Sequence, residues 1–489
     1  MSGEHADRVG LEAADFRLTN ASGFGDGNNS YAHSMAWFEG HLYVGTTRGV
    51  FAMMRTNKPV PNFKPWPTEV PDSPYKVDRR AEIWRYTPAT SGWDLVYRAP
   101  WVIGRTIAQV PRYIGFRGMT IFQSPGDAKP CLYVSTWAPR EAEPPDILRS
   151  EDGVTFESVP RPPWDTAVRS FRTLQVFRGR VHTAPTGSNK GGQAQESVGS
   201  EARVYCTDDL QSAHWVSAGE DGFGDPDNVT VFEMAAFADH LYAGTVNPTR
   251  GCELWKTDGE GGPPYRWQRV LSHGAGRGPH NEAIASMVVF GGALYVGTGI
   301  VNGGYHRAFE VGPAAAEVLR VWPDDSWDVL VGHSRITPDG LKVPLSGMAP
   351  GFDSLFNGYM WRMGVHDGHL YVGTFCWANM LPYLPRSLWP EDVLAMVERW
   401  GEDQLVRRYG GFELWRTADG VRWFPVTRSG FGNKYNWGVR NLVSTPHGLF
   451  VGTANVFGPR VAVRRDGEWR YIDNPRGGCE VWLGAREAV

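Results

Sequence analysis

Four arginines, one histidine, two tyrosines and a glutamate stand at matching places in a chain that repeats itself. Such a set can grip an anion and move a proton. Counted two residues before a recurring methionine or its equivalent, the positions read His33, Arg117, Arg172, Phe232, Ala285, Trp361 and Arg440. Glu233, Arg362 and Asn441 follow one residue on. Residues that recur in every copy serve the repeated structure, whereas those that differ at equivalent places are there for something else. Guanidinium groups brought to one narrow opening repel one another and lose hydration, so anions must compensate them. Those anions are either internal, from Glu233, Glu282 and Asp353, or a bound carboxylate, phosphate or sulfate held by paired donors.

For acid–base work the same region offers His33, Tyr31, Tyr359, Glu233 and Glu282. An imidazole beside arginines resists protonation and stays available as a base. A tyrosine in that field is expected to lose its proton more easily. The competing reading of His33 is a hydrogen-bonded wall residue. Six residues before the same methionines stand Asn29, Asn228, Asn281, Asn357 and Asn436, with Tyr113 and Val168 at the two remaining places. An Asn before a strand commonly closes a turn on its own backbone. The functional alternative is a ring of amides around a central opening, holding substrate hydroxyls or a divalent metal. On that alternative Asn281 and Asn436 join Trp361, Trp377 and the arginines as substrate-binding candidates.

The elements that position these residues follow from the repeat. An apolar phrase reading Leu-Tyr-Val-Gly-Thr in its clearest form occurs seven times: Leu42 to Thr46, Leu132 to Thr136, Val181 to Ala184 in degraded form, Leu241 to Thr245, Leu294 to Thr298, Leu370 to Thr374 and Leu449 to Thr453. A short apolar run and a tight polar turn precede most copies, a hairpin signal. A third strand follows, clearest at Glu82-Ile83-Trp84, Glu253-Leu254-Trp255, Glu413-Leu414-Trp415 and Glu480-Val481-Trp482, then a turn and a fourth strand opening on an aromatic residue. A period of roughly 50 residues means stacked modules that bury one another's apolar faces. Four strands in each of seven repeats predict an all-β, seven-bladed β-propeller in a single domain. The blades fall at about 29–98, 113–158, 168–218, 228–271, 281–331, 357–427 and 436–483. The last copy stops after its third strand. Residues 15–19 resemble the fourth strand of the copy before it, so the N-terminus is expected to complete the last blade and close the ring, covering an open sheet edge.

At 489 residues, with 42% hydrophobic residues and 21 Trp, the chain has ample material for one large core. A net charge of −4 argues against nucleic-acid binding. The five cysteines form no CxxC pair or metal spacing, as in reduced cytoplasmic proteins. The polar N-terminus lacks the apolar run of a signal peptide, and no stretch is long enough to span a bilayer. No nucleotide, phosphate-loop or hydrolase fingerprint is present.

Three turns carry a resemblance to propellers with Asp-box (BNR) repeats, whose consensus is Ser/Thr-x-Asp-x-Gly-x-x-Trp. They are Ser150-Glu151-Asp152-Gly153 with Phe156, Thr417-Ala418-Asp419-Gly420 with Trp423, and loosely Thr257-Asp258-Gly259. All are one residue shorter between Asp and Gly. The resemblance implies a structural turn in which the Asp side chain bonds backbone amides. Sialidases, also Asp-box propellers, bind their substrate carboxylate with an arginine triad. That similarity favours a bound anion, but the chain lacks an Arg-Ile-Pro motif near its first repeat and sialidase activity is not carried over.

Long connections at 47–80, 185–201, 375–410, 454–477, 99–112 and 332–356 all fall on one face, where function is expected. The glycine-rich stretch 187–199 has loop composition and is expected to be mobile. Residues 390–408 show helical spacing, with Pro390, Glu391 and Asp392 at the start. They are expected to form either a rim brace or a lid that turns Trp377, Trp389 and Trp400 inward. The combined expectation is an enzyme, of the kind found in specialised metabolism, acting on a small anionic or polyhydroxylated molecule. A non-catalytic ligand-binding propeller or an interaction scaffold is the alternative.

Overall fold

The structure, a computed structural model, describes residues 9–55, 62–161, 167–187, 199–306 and 309–486. It is mostly β, with about 42% strand and 13% helix. The glycine-rich stretch expected to be mobile lies, from 188 to 198, outside the described residues.

The repeated apolar phrases form strands His41–Arg48, Cys131–Trp137, Arg180–Thr183, His240–Val246, Ala293–Gly299, His369–Cys376 and Gly448–Ala454. Nearly all their residues are buried, as in strands covered on both faces. Each pairs antiparallel with the strand before it and with one after it, as Asn29–Phe38, His41–Arg48, Glu82–Thr87 and Gly92–Arg98 do in the first group. The first hairpin turns on Glu39 and Gly40, both at positive φ (48° and 76°). That geometry matches the right-handed twist of the flanking strands.

The glycine of the phrase has a packing role. A Cβ on Gly45 would lie 2.7 Å from Phe116 Cβ in the next group. Gly244 meets Ile284, Gly297 meets Met360 and Gly373 meets Val439 in the same manner. Gly452 of the last group meets Ala32 and Met35 of the first. Strand Phe16–Leu18 pairs antiparallel with Val481–Gly484, Phe16 opposite Gly484, and thereby supplies the outer strand of that last group.

The turns between third and fourth strands bond as local chemistry dictates. Asp152 Oδ1 accepts from the amides of Val154 and Thr155 at 2.8 and 2.7 Å, and Asp419 Oδ1 accepts from those of Val421 and Arg422. These bonds favour the ionised carboxylates and hold both near 2, below the usual aspartate value.

The long connections pack on one another. Lys64 N donates to Tyr383 O, Tyr383 Oη to Ala462 O and Tyr471 Oη to Trp66 O. The predicted helical segment is two helices, Glu391–Trp400 and Glu402–Tyr409, separated at Gly401, whose φ of 80° no helix interior accommodates. Val393, Val397 and Leu405 are buried in a large apolar cluster with Trp377 and Trp389. Trp400 departs from expectation: it is the last residue of its helix and is 56% exposed. No helix among the described residues is long and apolar enough to cross a membrane. All five cysteines are buried free thiols.

Candidate functional site

The register position two residues before each methionine is a β-bulge. In the first hairpin Ala32 pairs with Thr46 and Ser34 with Gly45, which leaves His33 outside the ladder. The same shift isolates Arg117, Phe232, Ala285, Trp361 and Arg440 on their own strands. Arg172 falls in the break between strands Ser170–Phe171 and Gln175–Phe177. A bulge inserts one residue, bends its strand and re-aims the extra side chain. Position in the sequence thus becomes direction in space.

These side chains meet. Arg440 Nη2 lies 2.5 Å from His33 Nε2, and His33 Nδ1 lies 2.6 Å from Thr47 Oγ1. Because the guanidinium only donates, Nε2 must accept. The ring proton then sits on Nδ1 and is donated to Thr47 Oγ1. Arg117 Nη1 donates to Ser170 Oγ at 2.7 Å and to Thr186 Oγ1 at 3.3 Å. Arg362 donates to Glu233 Oε2 at 2.7 Å and through Nε to the carbonyl of Arg440 at 3.3 Å. Three arginines lie against aromatic faces: Arg117 over Trp137, Arg172 over Phe232 and Arg440 over Trp361, at 4.6, 3.2 and 5.2 Å. Such contacts suit a weakly hydrated guanidinium. Tyr31 and Tyr359 flank Trp361 with ring centroids 5.8 and 5.5 Å away, and Tyr359 Oη accepts from Gly303 N.

Burial dominates the electrostatics. His33 is held well below the ordinary imidazole value, first by burial and then by Arg440, Arg117, Arg172 and Arg362. Burial and mutual repulsion likewise push the guanidiniums of Arg172 and Arg440 well below their usual range. The tyrosines depart from expectation. Tyr31 and Tyr359 are both pushed up, because desolvation of the phenolate outweighs the neighbouring positive charge at Tyr31 and the Gly303 amide at Tyr359. Neither loses its proton more easily than a free phenol.

Of the three internal anions considered, Glu233 alone takes the expected part, through Arg362. Glu282 is fully buried but bonds the ring of His306 and the amide of Val301. Asp353 is exposed and accepts from the amide of Ala349 in its own turn.

The asparagines are used by the fold. Asn281 Nδ2 donates to Gly274 O and Glu317 Oε2, and its Oδ1 accepts from Thr298 Oγ1. Asn436 does the same with Gly430, Glu480 and Thr453. Asn29 and Asn228 bond Gly23 with Glu82 and Gly222 with Glu253, and Asn357 bonds Gly351. All five are fully buried. Asn281 and Asn436 are therefore wall residues, with amides committed to a glutamate and a turn carbonyl rather than to an opening. The glutamates are those of the third-strand phrase, and Glu82, Glu253, Glu413 and Glu480 each also accept from the indole two residues on. Among the described residues no group of three His, Cys, Asp or Glu side chains is placed to hold a metal.

Two features escaped the sequence reading. His306, buried against Glu282, is one. The other is a turn that precedes four of the five asparagines, in which Gly23-Phe24, Gly222-Phe223, Gly351-Phe352 and Gly430-Phe431 all take positive φ, with Gly274-Ala275 in that place before Asn281. Each phenylalanine then stacks on a third-strand tryptophan, as Phe24 does on Trp84 at 4.7 Å and 7°. The recurring Gly-Phe six residues before Asn was the available signal. Trp377 is buried in the apolar cluster, with its indole N–H donated to Leu355 O, and lines a pocket there.

No protein-family profile matches the chain, and no curated protein matches it in sequence. Among solved structures it is similar to a puromycin-hydrolyzing peptidase of Mycobacterium tuberculosis, at 10% identity and TM-score 0.37, over 89% of this chain and 60% of that one. It is similar to Zg3597, a family 117 glycoside hydrolase of Zobellia galactanivorans, at 16% identity and TM-score 0.30, over 52% and 74%. It is also similar to a Trypanosoma rangeli sialidase in complex with sialic acid, at 10% and 0.35, over 90% and 69%. The chain spans about 60% of the length of the peptidase. These likenesses are distant.

Proposed function

We propose that the chain is a seven-bladed β-propeller closed by its N-terminal strand, and an enzyme that binds a small anionic molecule among the bulge arginines and uses His33 as its base. Support for the ring comes from the contact of Gly452 with Ala32 and Met35 and from the pairing of Phe16–Leu18 with Val481–Gly484. Support for the site rests on one observation above all. A buried imidazole accepts from a buried guanidinium in the field of three more.

The chemistry follows from that contact. A substrate carboxylate, phosphate or sulfate entering the cluster offers Arg440 a stronger acceptor than imidazole. When Arg440 turns to it, Nε2 of His33 is released with its lone pair free, while Thr47 keeps the proton on Nδ1. The base is then armed only when the anion is bound. Glu233 occupies Arg362 beside Arg440, as an internal anion that an incoming one must rival.

The test is calorimetric titration of small carboxylates, phosphates and sulfates into the wild type and into a protein carrying both Arg117→Met and Arg172→Met. Binding of at least one class, weakened 100-fold or more in the double variant at unchanged melting temperature, is expected. Equal binding by both proteins, or no binding by the wild type, refutes the proposal.

A further inference from the structure

The packed insertions enclose a second feature. Phe51, Met54, Trp377, Met380, Leu384 and Trp437 line a pocket of about 680 Å³, part of it open to solvent, and among the described residues no charged side chain lines it. Small-molecule sites are mostly apolar with few polar groups, and this lining has that character. The lining comes from separate connections: Phe51 and Met54 from 47–80, Trp377, Met380 and Leu384 from 375–410, and Gly303, Tyr305 and Pro313 from the segment after Gly299. Two of the side chains are methionines, which adapt to irregular apolar shapes.

Packed side chains run from the pocket wall to the arginine cluster. Gly303, in its wall, donates its amide to Tyr359 Oη, and Tyr359 contacts the Trp361 ring on which Arg440 lies. From Trp437, in another wall, Phe375 leads to the same Trp361, with ring centroids at 5.1 and 5.4 Å. Tyr31, Trp137 and Trp361, beside the arginines, share one continuous apolar cluster with Phe51, Trp377 and Trp437. A polar anion would have no use for such a neighbour. An anion carrying an aromatic or aliphatic body would use both.

Resting on the arginine reading above, we propose that the ligand is an amphiphilic anion whose charged head sits among Arg117, Arg172 and Arg440 and whose apolar body fills the pocket under the insertions. Selectivity then divides between the two parts: the arginines demand charge, and the pocket rewards apolar length and bulk.

The test uses inorganic sulfate as a head-only probe and straight-chain carboxylates of increasing length as head-and-body probes, titrated calorimetrically into the full chain. Affinity is expected to rise about fourfold per methylene, the equivalent of about 0.8 kcal/mol per buried CH₂, until the pocket is full. Leu384→Asp, at a half-buried wall position, and Met54→Trp, which occupies the space, are each expected to flatten that series and leave sulfate affinity unchanged. Sulfate binding without length dependence overturns this inference and leaves the arginine site standing. Length dependence that survives both variants also overturns it, by placing the body elsewhere. If neither sulfate nor any carboxylate binds, the arginine reading falls and this inference falls with it.

Discussion

Arg440 and His33, 407 residues apart in the chain, share a 2.5 Å contact between guanidinium Nη2 and imidazole Nε2. Both are bulge residues, so the contact exists because two neighbouring strands, Asn29–Phe38 and Gly438–Thr445, each break register there. A positive group bonded to a base keeps the base neutral and its lone pair occupied. On the proposed function, the pair is a resting state that a bound anion undoes.

Glu233→Gln tests whether the cluster is an internal ion-pair network or a receptor. The carboxylate competes with an incoming anion for the arginines, and its removal is expected to tighten anion binding roughly tenfold, the size expected for unit charges about 10 Å apart at an effective dielectric near 20. Titration calorimetry reads the change. Loss of binding instead would mean that Glu233 positions the site rather than competing for it.

A second prediction concerns pH. His182 is fully buried beside Tyr265, and burial lowers its pKa from 6.5 to about 4. The unfolded chain binds the proton more tightly, so stability is complete above about pH 6.5 and declines as pH falls toward 4. His182 alone contributes on the order of 3 kcal/mol to that decline, and His33 adds in the same direction. Melting temperatures across this window should fall in the wild type and fall less in His182→Gln.

The buried carboxylates of the third-strand phrase are structural. Glu480 accepts from Asn436, Asn433, Trp482 and Ser22 and is 1% exposed. Glu480→Ala strands those donors and is expected to cost about 3–5 kcal/mol, against a smaller loss for Glu480→Gln, measured by denaturant unfolding. A cost below about 1 kcal/mol would contradict the assignment.

Deleting residues 1–19 removes strand Phe16–Leu18, its contact with Phe431 at 4.9 Å and two hydrogen bonds from Thr19 to Val481 O. The uncovered edge of Val481–Gly484 is expected to promote self-association, visible by light scattering. A deletion variant that stays monomeric with an unchanged melting temperature would show that the strand is dispensable.

The repeated phrase was legible because an apolar run bounded by tight turns and recurring at a fixed period leaves a direct imprint, and Leu42 to Thr46 and its counterparts are strands as that imprint required. The odd residues at one register were legible as a set. Their convergence was not, because a bulge is set by backbone pairing and leaves no mark on residue type at His33 or Arg440. Asn281 and Asn436 were misread because a recurring amide looks the same in sequence whether it faces an opening or a buried glutamate. The tyrosines were misread for a related reason: charge is visible in a sequence, but the desolvation that outweighs it at Tyr31 depends on burial.

On the proposed function His33 is a neutral base held in check by guanidiniums that an anion recruits. NMR titration of the His33 imidazole, with and without saturating anion, tests it most directly. The account predicts a ring that stays neutral well below the ordinary imidazole range and whose pKa rises when the anion cancels part of the arginine field. A titration near 6.5 that the anion leaves unmoved would contradict it.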